Sequence, residues 1–493
     1  MRWLFVTAFV WLGACTALCN DLDDLFGGDS GVDAKKVDAA VKRAAQWLLS
    51  KQNPDGSWKV SGKGQLLEIE SHYPGGVTAL ILYALLKAGI DPKDPRIVKG
   101  FQFCRRAPDL QLRGEVPRSG AAPHSGQNFT SARTYSVSCM ILALAAKYQP
   151  RVKSSRSRHL IRKLMTSADK LLRRGFRKAD PRDKQFLSEL VEWLIKTQHT
   201  NIWRYPGPAQ DGNWEDASNT QYAMLALYTA WRLGYKIPPS VWEKVIQWFL
   251  KNQDKDGPKV KWFPVPGADI PMKELRRLEK KSLSELKRML RKVGASGLTP
   301  DMIKKLRTSV VIDNPYRKFG PEKKEMRARG WSYVRRGGAP KFPSFEHTCG
   351  SMTTSGIVSL MICKAALEGT PIWRKYRKQV EQAIRDGVAW LAHNFTVSRN
   401  PNKGGYHFYY LYGMERAGVL TLTRLFGKHN WYKEGAEFLL AHQRPDGSWH
   451  EQGDSPLIAT AFAILFLKKA TAPVVRIPHD VATGAGMFGN KKK

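Results

Sequence analysis

The chain has 493 residues, with 80 Lys and Arg against 43 Asp and Glu, and a formal net charge of +37. That surplus calls for anionic partners or surfaces and says nothing about fold. A hydrophobic fraction of 42% is ordinary, six cysteines are too few for a disulfide scaffold, and no interior stretch reads as a bilayer span.

At the N-terminus Arg2 precedes an apolar run, Trp3 to Ala14, of the length of a signal-peptide h-region, so residues 1–19 read as an export leader. Leu12-Gly13-Ala14-Cys15 resembles a lipobox, which would make Cys15 a lipid-bearing N-terminus in the periplasm or cell envelope. Cleavage near Cys19 would release an unanchored protein instead, and both fates stay open. Beyond the leader lie Cys104, Cys139, Cys349 and Cys363, none in a C-x-x-C pair. They read as buried, inert thiols.

From Val37 onward a pattern repeats. An amphipathic helix ends in Gln52-Asn53-Pro54-Asp55-Gly56-Ser57-Trp58, and the stretch ending in Gln443-Arg444-Pro445-Asp446-Gly447-Ser448-Trp449 matches it almost letter for letter. Weaker copies end at Gln198 and Gln253, the latter with Gly330-Trp331 as its expected turn partner. Degenerate ones occupy Phe101–Arg106 and Val388–Phe395, where Asn394 stands for the glutamine. After each copy comes a run that is apolar on nearly every side: Val77–Lys87, Tyr135–Lys147, Thr220–Leu233, Thr353–Leu367, Tyr409–Leu425 and Ile458–Lys469. A helix apolar all round must be buried, whereas the first helix of each pair keeps a polar stripe. Six outer–inner hairpins follow, and an open solenoid or a closed ring would bury their inner faces. In the turn, Pro ends the outer helix and Asp-Gly supplies the tight bend. The glutamine is placed to bond orphaned backbone groups, and the tryptophan to plug the seam between repeats.

Two basic insertions interrupt the repeats, at 151–184 and 266–329. Helical runs are expected at His159–Leu172, Met272–Val293 and Pro300–Arg307, and a basic tail fills 471–493. Few aromatic residues alternate with these charges, so nucleic acid is an unlikely partner. An anionic membrane surface or an acidic polysaccharide suits them better, and so does plain solvation.

The Q-x-x-x-G-x-W turns resemble the repeats of squalene and oxidosqualene cyclases, and the paired helices resemble the β subunits of protein prenyltransferases. The resemblance spans residues 37–470 apart from the insertions. Asp216-Ala217-Ser218-Asn219-Thr220-Gln221-Tyr222 and Tyr409-Tyr410-Leu411-Tyr412-Gly413-Met414-Glu415-Arg416 look like stretches of bacterial, largely planctomycete, repeat proteins of unassigned activity. It implies an all-α fold, an α/α toroid of six inner and six outer helices, with a central cavity for an apolar, isoprenoid-like ligand. The alternative is a non-catalytic envelope module that docks anionic surfaces through its insertions.

The reaction motifs of that superfamily are incomplete here. Asp21-Leu22-Asp23-Asp24 spells D-x-D-D, but it follows the leader, outside every repeat, and reads as coincidence. Glu346-His347-Thr348-Cys349 resembles the stretch that carries a zinc-binding histidine in prenyltransferases, but the D-x-C pair is missing, and one ligand makes no zinc site. Neither a metal nor a cofactor is called for. What remains are polar residues near the starts of the inner helices: His72 and Tyr73, Arg133 and Tyr135, and the residues around Asp216, His347 and His407. Asp216 is the preferred acid or base, weighed against a role as helix N-cap. His347 and His407 are its candidate catalytic companions. Asn219, Gln221, Tyr409, Tyr410, Glu415 and Arg416 are the candidate substrate-binding set, with Glu415 and Arg416 also readable as an ion pair.

Overall fold

The computed structural model describes residues 31–60, 73–112, 133–149, 168–204, 215–293, 315–319, 325–335, 337, 343–451 and 454–475. The leader with Cys15, the D-x-D-D string, His72, Trp214, most of the run His159–Leu172, all of Pro300–Arg307 and the tail beyond Val475 lie outside them.

The described chain is overwhelmingly helical. In order, its longer helices are α1 (Ala34–Ser50), α2 (Pro74–Ala88), α3 (Pro95–Cys104), α4 (Thr134–Lys147), α5 (Ala168–Arg177), α6 (Pro181–Lys196), α7 (Ala217–Leu233), α8 (Pro239–Asn252), α9 (Met272–Val293), α10 (Gly350–Leu367), α11 (Pro371–His393), α12 (His407–Thr421), α13 (Trp431–Ala441) and α14 (Pro456–Leu467). Two short antiparallel pairs, 259–260 with 326–327 and 425–426 with 429–430, complete the order.

Burial divides these helices as their sequences require. Every residue of α10 from Gly350 to Ala365 is buried, and α2 is buried without a break from Gly75 to Leu86. By contrast α1 buries Val37, Ala40, Val41, Ala44, Ala45, Leu48 and Leu49, a single face at helical spacing. The buried helices α2, α4, α7, α10, α12 and α14 each pack against the next, and α14 packs against α2, so the contacts run in a closed circuit. The one-sided helices lie against them: α3 on α2, α6 on α4, α8 and α11 on α10, α13 on α12 and α1 on α14.

Four turns repeat one set of hydrogen bonds. The indole Nε1 of Trp58, Trp203, Trp331 and Trp449 donates to the carbonyl of Leu48, Leu194, Phe249 and Leu439 at 2.6, 2.8, 2.8 and 2.8 Å. The backbone N–H of each tryptophan meets a threonine hydroxyl of the following buried helix: Thr78, Thr220, Thr353 or Thr460. The amides of Gln52, Gln198, Gln253 and Gln443 bridge their own turn to another one-sided helix. Their second acceptors are the carbonyls of Arg96, Val241, Ala383 and Ala40, at 2.8, 3.0, 3.0 and 2.9 Å. The glutamine therefore joins repeats, and the tryptophan fills the hairpin behind it. Gly447 has a φ of 93°, and a Cβ there would come within 2.9 Å of the Arg43 carbonyl, so glycine is required by both conformation and space.

Three expectations need correction. The inner runs begin one to three residues earlier than read, and the fifth ends at Thr421 instead of Leu425, because Leu422 takes a left-handed φ of 58°. Asn394 does not imitate the glutamines; its amide bonds back to Trp390 within its own helix. By length and composition α10 does qualify as a membrane span, yet it is 94% buried inside the fold, where an apolar core helix belongs.

The 266–329 insertion is docked, not merely solvated. Met272, Leu275 and Leu278 of α9 form a second small core with Ile270, Tyr316 and Val475. Asp269 pairs with buried Arg385 at 2.9 Å, buried Lys364 bonds Glu381 and the Ile270 carbonyl, and the Met272 N–H bonds Glu368. The outward side of α9 carries Lys273, Arg276, Lys280, Lys287 and Arg291.

Candidate functional site

Residues from helices that are not neighbours in the circuit meet in one cluster. Tyr135 of α4 and Tyr409 of α12 share a hydroxyl–hydroxyl contact of 3.2 Å. Gln221 of α7 donates to the Tyr409 hydroxyl and accepts from Arg416 Nη2 of α12 at 2.7 Å. The Arg416 guanidinium lies over the rings of Tyr222 and Tyr412, at 5.1 and 4.1 Å. Tyr222 packs against Tyr135 and stacks on Tyr409, and Phe462 of α14 lies against Tyr409 and Tyr412. The arrangement follows from helical periodicity: Tyr409, Tyr412 and Arg416 recur at i, i+3 and i+7 and therefore project from one face.

No family model matches this chain, and no curated protein is significantly similar to it.

The remaining candidates are placed elsewhere. Asp216 is buried at the N-terminus of α7, where its carboxylate accepts from the Asn219 backbone at 2.7 Å, the Asn219 amide at 3.1 Å and the Ser218 hydroxyl. Burial raises its pKa while these bonds lower it, with a net upward shift. All of its bonds serve the helix start, as an N-cap does. Asn219 is thereby part of the cap. His407 bonds the Val397 carbonyl at 2.8 Å through Nε2, lies against Phe438, and burial depresses its pKa. His347 is exposed in a shallow depression with Glu346, Thr348 and Asn402. The expected Asp216–His347–His407 set thus does not assemble, since each residue has its own surroundings. Among the described residues no three His, Cys, Asp or Glu side chains gather as a metal-holding group. Tyr410 is buried but tied to the Thr396 carbonyl, outside the central cluster. The four cysteines are free and buried, and desolvation pushes Cys139 up to about 12.

Glu415 and Arg416 are neither an ion pair nor a solvated face. Both are fully buried and point to different partners. Glu415 accepts from the Thr471 backbone at 3.1 Å and faces its hydroxyl at 2.6 Å, anchoring the segment after α14. Tyr83 adds a bond to the Ala470 carbonyl and Arg232 one to Ala472, so this segment crosses between the C-terminal ends of α2, α7 and α12. Tyr222, Tyr412 and Thr471 were not singled out from the sequence as site residues. The i, i+4 pairing of Tyr412 with Arg416 was the available signal for one of them.

Burial pushes Glu415 up to about 7 from 4.5, against the opposing effects of Thr471, Arg416 and Lys87. A carboxyl with a raised folded-state pKa stabilises the fold below its unfolded value and loses that contribution as pH rises through the folded one. The unfolding free energy should therefore fall between pH 4.5 and 7 by on the order of 3 kcal/mol from this residue. Glu415→Gln should remove that part of the slope, and urea unfolding at pH 5 and pH 8 measures it. An unchanged slope would show that Glu415 is ionised in the fold.

Proposed function

We propose that this protein is an α/α toroid of the terpenoid-cyclase and prenyltransferase kind that holds an apolar ligand among its inner helices. The closed circuit of helix contacts supports the ring. So does the Gln443–Ala40 bond, which joins the last repeat to the first in the manner of the other three glutamines. The observation that carries ligand binding is the aromatic cluster of Tyr135, Tyr222, Tyr409, Tyr412 and Phe462, contributed from α4, α7, α12 and α14 across the ring. Aromatic walls with a few convergent polar groups are the composition of a small-molecule site. Binding is favoured over acid catalysis because the Asp216 carboxylate is engaged by its own helix.

Calorimetric titration of the full chain with farnesol and 1-decanol tests this reading. One molecule of at least one alcohol per chain is expected, with affinity reduced about tenfold or more in Tyr409→Ala through lost apolar contact. No saturable binding of either would overturn it.

A further inference from the structure

Resting on that reading, the charge buried at the centre specifies the polar end of the ligand. Arg416 is 0% exposed, and among the described residues no carboxylate pairs with it, its chain neighbour Glu415 being engaged with Thr471. Nη2 has an acceptor in Gln221, whereas Nε and Nη1 have none, and the Tyr222 hydroxyl likewise lacks a hydrogen-bond partner. The Tyr222 hydroxyl lies beside the Arg416 guanidinium and interacts weakly with it, short of full hydrogen-bond distance and angle.

A guanidinium keeps its proton in any protein environment, so it cannot escape burial by neutralising. It lies over the rings of Tyr412 and Tyr222, and such cation–π contacts offset part of the desolvation. The unpartnered N–H groups lie on its edge, where oxygen acceptors bind. A buried charge with neither counterion nor a full set of acceptors is strongly unfavourable, and a bound anion relieves it.

We infer that the ligand is a monoanionic amphiphile whose carboxylate-type end meets Arg416 and Tyr222 while its apolar body lies along Tyr135, Tyr409 and Phe462. One guanidinium balances one negative charge. A diphosphate would bring further charges for which the cluster holds no cation.

The test is titration of the full chain with decanoate, 1-decanol and formate. Decanoate should bind about tenfold or more tightly than 1-decanol, the usual advantage of a charged hydrogen bond. Arg416→Gln should abolish that preference and Arg416→Lys should retain part of it. Should Arg416→Gln fail to fold, Tyr222→Phe removes only a hydroxyl without a partner; it should weaken decanoate several-fold more than it weakens 1-decanol, and an equal loss for both would overturn the anionic end. Equal affinity for decanoate and 1-decanol would overturn the anionic end and leave the apolar-ligand reading standing. Formate binding as tightly as decanoate would overturn the amphiphile, since an anion alone would then fill the site. Binding of none of the three would overturn both.

Discussion

Replacing Trp449 by alanine is expected to lower the unfolding free energy by about 3–5 kcal/mol, the range for truncating a large buried aromatic residue. The side chain is fully buried, its indole donates to Leu439, and its backbone N–H meets Thr460. Alanine would leave a cavity between α13 and α14 and remove the indole's bond to the Leu439 carbonyl, which then keeps only the His442 N–H. The neighbouring Gln443 bonds Ala40, so damage at this turn also loosens the join between the last repeat and the first. Urea unfolding followed by far-ultraviolet circular dichroism measures the loss. Trp58→Ala, in the matching turn of the first repeat, should cost a similar amount. A loss below about 1 kcal/mol at Trp449, against the range for a buried aromatic, would mean that this turn is not an integral part of the fold.

Asp269→Asn should have an effect of the same size, about 3–5 kcal/mol, because it breaks a buried ion pair from one side. Asp269 accepts from Arg385 at 2.9 Å, from the Val265 backbone at 2.9 Å and from the Tyr316 hydroxyl at 3.2 Å. The amide would leave the buried Arg385 charge without its carboxylate, with Gln382 as its remaining side-chain acceptor. The second core of the insertion, built on Ile270 and α9, starts one residue further on. The variant should therefore be cut faster by trypsin within residues 272–293 as well as unfold earlier. Adding Arg385→Gln should restore part of the stability, since a pair removed together strands no charge. If the single variant were as stable as the parent, the pair would not be what holds the insertion in place.

Much of the fold was legible because the same physical demand recurs along the chain. The runs at Val77–Lys87 and Thr353–Leu367 are too apolar for any surface, and α2 and α10 are indeed buried throughout. The Q-x-x-x-G-x-W turns were readable for the same reason, although the reach of Gln52 to Arg96 depends on packing that no single repeat contains. The basic run Met272–Val293 was recognised as a helix, but its docking was not. That rests on Asp269 and Arg385, 116 positions apart, and on Lys364, a charge in a stretch that otherwise reads as core. The candidate site was legible only in part. Gln221, Tyr409 and Arg416 were picked out and do meet, whereas Asp216, His347 and His407 were grouped by their places before inner helices. Similar places on successive hairpins do not fix where a side chain points. Local bonds fix Asp216 and His407 in place, and His347 is exposed at the surface.

The join between the last repeat and the first uses the same glutamine bond as the others, with Arg43 donating to Gln443 Oε1 in addition, but it spans far more sequence. Gln443 and Ala40 stand 403 positions apart, whereas Gln52 and Arg96 stand 44 apart. Loop-closure entropy grows with the logarithm of that distance, so the long join costs about 2 kcal/mol more for the same chemistry. Among junctions of like construction, the one with the greatest entropic burden is the first to part under heat or denaturant. The clasp of this molecule lies between its first and last repeats.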